Sequence, residues 1–142
     1  MAKIWIVVAD AAYARILECE QLRSDPIELE VMMNPAARQK EQDLRSSKPG
    51  RGFISSGEGR HQYSSEVDPR RHEADQFAQS VVTRLTQALE AKAFADLMLI
   101  ASPSFLGLLR KHLTSQLSNC VKQEINKDLV RMDVKDIMAH LR

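Results

Sequence analysis

The sequence predicts an α/β fold: one domain over residues 1–142, built on a mixed β-sheet of about five strands flanked by helices. Three observations carry this. Short β-type runs follow one another near the start with brief connections. From residue 69 onward, helix and strand patterns alternate. Between them lies a stretch, residues 34–68, from which large apolar side chains nearly vanish. The composition supports a packed core, with 44% hydrophobic and 27% charged residues among 142, close to the globular norm. Lys and Arg number 20 against 19 Asp and Glu, for a net charge of +1. That balance excludes an overall basic coat for nucleic acid, so any polyanion site must be local.

Lys3 to Ala9 is a nearly continuous apolar run rich in β-branched residues, the pattern of a strand buried on both faces. Asp10-Ala11-Ala12 breaks it, with Asp10 expected to accept backbone hydrogens in the turn. Tyr13 to Glu20 reads as a second strand, and Ser24-Asp25-Pro26 is turn chemistry. Ile27 to Val31 alternates strictly, which predicts a half-buried strand. The three together suggest an antiparallel meander, and an exposed edge at the third strand invites a second subunit.

Residues 34–68 keep only Leu44, Phe53, Ile54, Tyr63 and Val67 as large apolar side chains, and hold four of the five glycines. Such a stretch buries too little surface to offset its ordering entropy. It reads as a long, flexible, Gly-rich loop, and loops of this length in compact domains are usually functional or disordered. Asp68 as N-cap and Pro69 at the first helical position open a long helix. Ala74, Phe77, Ala78, Val81, Val82, Leu85, Ala88 and Leu89 form its apolar face. Asp96 to Ala101 is a central strand, Ser102-Pro103 starts a helix, and Val121 to Ile125 reads as a strand or as helix continued from Leu117. Asp133 opens a final short helix through Leu141.

The chemistry concentrates mid-chain. Arg38 to His72 holds eight Lys and Arg against five acids, a surplus of three positive charges. Guanidinium groups and amides at glycines suit phosphate, and Tyr63 and Phe53 suit base stacking. The alternative from the residues alone is a solvated loop. Gly57-Glu58-Gly59 lacks the third glycine of a dinucleotide turn, and no phosphate-loop motif occurs. No cofactor is implied. His61, His72, Glu73 and Asp75 are close in sequence, yet only His72 and Asp75 share a helical face, and zinc takes three or four ligands. No metal site is therefore expected, and His112 and His140 are expected to be exposed. Ser56 and Ser102 lack a positioned base and no nucleophile elbow occurs, so no catalytic residue is assigned. Cys19 and Cys120 are widely spaced, as in a protein with reduced thiols. The opening apolar run is shorter than a signal peptide's, and no span of about 18 apolar residues occurs. A cytoplasmic protein without a membrane partner is expected.

Several stretches read together: Val7 to Arg15, Lys48-Pro-Gly-Arg-Gly-Phe53, Gly57-Glu-Gly-Arg-His61, Asp68-Pro69, Ala101 to Arg110, and Glu124-Ile-Asn-Lys-Asp-Leu129. In this order they resemble the bacterial family labelled "protein required for attachment to host cells". That family is in turn similar to the middle domain of eukaryotic and archaeal peptide-chain release factors. The resemblance implies a mixed sheet flanked by helices. In release factors a Gly-Gly-Gln tip before the long helix acts on peptidyl-tRNA. The equivalent place here, Gly57 to His61, keeps two glycines and a basic residue but no Gln after a Gly-Gly pair, so that catalysis does not carry over.

The expected function is a non-catalytic host-attachment family protein that binds RNA or the ribosome. Arg51, Arg60, Arg70 and Arg71 would meet phosphates, Gly57 and Gly59 would admit close backbone approach, and His61 and Tyr63 would touch bases. The alternatives are a protein-interaction factor affecting attachment, or a hydrolase of ester or phosphoester bonds using His61 with Asp10 or Glu58.

Overall fold

The computed structural model describes residues 2–37 and 69–141. Strand β1 (Ile4–Ala9) pairs antiparallel with β2 (Tyr13–Cys19), which pairs antiparallel with β3 (Ile27–Met33). Helix α1 (Pro69–Glu90) leads to β4 (Asp96–Ala101), which lies parallel to β1 on its other side. Helices α2 (Pro103–His112) and α3 (Ser115–Cys120) lead directly into β5 (Val121–Asn126), parallel to β4. A last helix, α4 (Val134–Ala139), follows. The five-stranded sheet has the order β3-β2-β1-β4-β5. This is the mixed α/β sheet that the sequence patterns predict. The open choice at Leu117 resolves as both: helix to Cys120, strand from Val121.

The two faces of the sheet carry two cores. On one face Trp5, Val7, Ile16, Leu97 and Leu99 pack beneath the apolar stripe of α1, beneath Phe105, Leu106 and Leu109 of α2, and beneath Leu117 of α3. On the other, Ile6, Val8, Leu17, Met98 and Ile100 meet Leu129, Val130 and the α4 residues Ile137 and Met138. Burial on both faces explains why β1 and β4 read as unbroken apolar runs.

Two local expectations need correction, and a third holds in position. β3 is not half-buried, since none of its residues reaches the buried class. It is the end strand, and the register against β2 slips between Ile16 and Leu17. Two residues of β3 there oppose one step of β2, so the strict alternation in sequence does not become one covered face. Asn34 is not loop. It is buried, its Nδ2 donates to the Ala11 carbonyl at 2.8 Å, and its Oδ1 accepts from the Ala36 amide at 3.0 Å. That makes it the cap of a helical turn over residues 35–37. Ser102 and Asp133 do occupy N-cap positions, but neither side chain makes a capping hydrogen bond.

Candidate functional site

Arg70 and Arg71 lie exposed on the first turn of α1, a turn without an acidic residue. Arg51, Gly57, Gly59, Arg60, His61 and Tyr63 lie outside the described residues, as do Asp68 and Glu58. Asn34, Pro35 and Ala36 line the same open groove, of about 600 Å³, as Glu73, Gln76 and Phe77. The groove continues along α1 to Thr83, Arg84 and Gln87, so the turn after β3 lies against this helix.

The C-terminal turn of α2 packs beside the start of α1 and carries Arg110, Lys111 and His112. Asp75, on the second turn of α1, gathers two of them: His112 Nε2 lies 2.9 Å and Lys111 Nζ 3.1 Å from its Oδ1. The His112 hydrogen bond, then the Lys111 hydrogen bond, hold the Asp75 carboxyl below its ordinary value of 3.8. His112 is thus half-buried and partnered, not the exposed histidine that its sequence position suggests; His140 is half-buried too. Arg110 reaches the other way, to Glu124 of β5, its Nε donating at 2.8 Å. No sequence signal marks the Asp75–His112 contact, because it joins residues 37 apart on different helices.

Asp10 ends β1, and its Oδ1 accepts from the Ala12 and Tyr13 amides, both at 2.8 Å. The carboxylate closes the tight β1–β2 turn. Among the described residues no group of three or more His, Cys, Asp and Glu could hold a metal ion. Cys19 is buried and Cys120 half-buried, and the two are not joined in a disulfide. No helix among the described residues is long and apolar enough to cross a membrane. Around the start of α1 the exposed side chains are thus Arg70 and Arg71, with Lys111 and His112 held by Asp75.

Over residues 5–141 the sequence matches the family described as "Protein required for attachment to host cells". The chain belongs to that family. It is also similar to "Uncharacterized protein RP470" of Rickettsia prowazekii (strain Madrid E), with 34% identity over 97 residues. That match covers 68% of this chain and 61% of the relative. Among solved structures, one titled "Archaeal protein" aligns with a TM-score of 0.47 at 12% identity, covering 97% of this chain and 35% of that one. The type II variant of the Aquifex aeolicus Ppx/GppA phosphatase aligns with a TM-score of 0.41 at 8% identity, covering 89% of this chain and 36% of that one. The chain thus spans about a third of the length of each structure.

Proposed function

We propose that this member of the host-attachment family is a non-catalytic cytoplasmic protein that binds RNA, most directly on the ribosome, at the basic corner around the start of α1. One observation carries the reading. The first turn of α1 holds Arg70 and Arg71, both exposed, between Asp68 and Glu73 of the sequence, and cations at a helix N-terminus, which already bears partial positive charge, cost stability. An anion such as phosphate turns that cost into a gain. The sequence entering this turn brings further cations: Arg51 and Arg60 for phosphates, with Gly57 and Gly59 for close backbone approach and His61 and Tyr63 for bases. On this reading, the resemblance of the sequence to the release-factor middle domain argues for a ribosomal partner, and the lack of a Gly-Gly-Gln run argues for binding without hydrolysis.

The test is fluorescence anisotropy with a labelled structured RNA and with purified ribosomes, across a salt series. Four phosphate contacts give a log–log salt slope of about −3.6. The combined Arg51→Ala, Arg60→Ala, Arg70→Ala and Arg71→Ala variant is expected to bind weakly and with a nearly flat slope. Equal binding by both proteins, or binding indifferent to salt, rejects the reading. The family's description favours a second one, a protein-interaction factor that affects attachment to host cells. Retention of proteins but no RNA from a low-salt lysate would favour it.

A further inference from the structure

Among the described residues, the large apolar side chains left exposed are Ile27, Leu29, Val31 and Met132, at 64%, 41%, 55% and 38%. Three lie on the end strand β3, and the fourth lies beside it. Arg15 of β2 brings two of them, Val31 and Met132, together. Its Nη1 donates to the Val130 and Met132 carbonyls at 2.9 and 2.7 Å, while its register partner on β3 is Val31. Val31 and Met132 therefore flank one guanidinium, whose charge Glu28 already balances at 2.8 Å. Tyr13, Val31, Val130 and Arg131 border a shallow hollow of about 480 Å³ around Arg15. On this face the cluster that includes α4 takes in side chains of β1, β2 and β4 but none of β3, so its cover does not extend over Val31.

The charges around the patch say what fits it. Arg131 and Asp133, both exposed, precede and follow Met132 in the chain; Arg131 borders the hollow, and the Asp133 side chain makes no cap hydrogen bond to α4. A cation, an apolar residue and an anion in a row are complementary to the same row turned through a two-fold axis. An axis near Met132 sets each Arg131 against the other copy's Asp133 and packs Met132 and Val31 between them. An unrelated partner would need the apolar patch but not this antisymmetric pair of charges. We propose that a second copy of this chain docks here, forming an isologous dimer through Val31, Met132, Arg131 and Asp133.

Sedimentation of the full chain over a wide concentration range tests this, and dimer is the expected species. Arg131→Asp and Asp133→Arg, made separately, each place like charges together and are expected to weaken the dimer by about tenfold or more. Mixing those two variants re-pairs the charges and is expected to restore association. Val31→Lys is expected to leave a monomer, with a far-UV circular dichroism spectrum like the parent's showing that the exposed position tolerates the change. A chain that stays monomeric throughout overturns the proposal. So does a dimer indifferent to both reversals, or a mixture that fails to associate. A dimer that survives Val31→Lys but is lost in Leu29→Pro places the contact on the free edge of β3 and also overturns it.

Discussion

Lys92 follows the end of α1 with φ at 59°, in the left-handed region where a side chain costs energy. Its amide donates to the Leu89 carbonyl and that of Ala93 to the Ala88 carbonyl, both at 2.9 Å, which satisfies the helix's last acceptors as a Schellman turn. Lys92→Gly should therefore raise stability by about 0.5–1 kcal/mol in urea denaturation. Asn34→Ala should lower it by about 1–3 kcal/mol, because the Ala11 carbonyl and the Ala36 amide both lose a partner. Asp75 adds a dependence on acid. Its folded-state value lies below 3.8, chiefly through His112. Its contribution is thus present above 3.8 and is lost as pH falls through the lower folded value. Asp75→Asn should flatten the acid limb of a stability–pH curve measured by urea melts. An unchanged limb would show that the pair adds nothing.

At the scale of elements, α1 holds the molecule together. Leu85 is fully buried between the helix and the sheet, and Leu85→Ala should cost about 2–5 kcal/mol by the same denaturation measurement. Arg84, its neighbour, ties α1 to β3 through Glu30 at 2.9 Å and lies 5.5 Å from the centre of the Trp5 ring. The elements were legible where burial sets the pattern. β1 and β4 are covered on both faces and read as apolar runs, and the stripe of α1 emerges from its spacing. β3 was misread because alternation reports a strand's own faces and says nothing of whether anything covers them. The Asn34-Pro35 pair is a cap followed by a first-turn proline, a readable signal that the polar surroundings masked. The site was legible only in part. Arg70 and Arg71 stand out as charge, whereas Asp75, Lys111 and His112 meet through tertiary packing that no local pattern encodes.

At the scale of the whole molecule, Asn34 to Ala36 share one groove with α1 residues from Glu73 to Gln87, so the described chain before residue 38 packs against the helix that follows residue 68. Loop-closure entropy changes slowly with length. Replacing residues 38–68 by a short Gly-Ser linker should keep the fold and its stability within about 1 kcal/mol. The same change should remove RNA binding, as anisotropy would report. Loss of the fold would mean that the core depends on the replaced residues.

The Asn34 anchor also sets where mechanical load would travel. Its side chain grips the Ala11 carbonyl and its own amide donates to the Ala12 carbonyl at 2.8 Å. A ligand tugging on the downstream chain pulls first on the corner between β1 and β2, braced by Asp10, and only afterwards on the outermost strand. β3 is thereby clamped at its C-terminal end, so tension on the chain beyond Ala36 would load the β1–β2 corner before it could unzip the outermost strand.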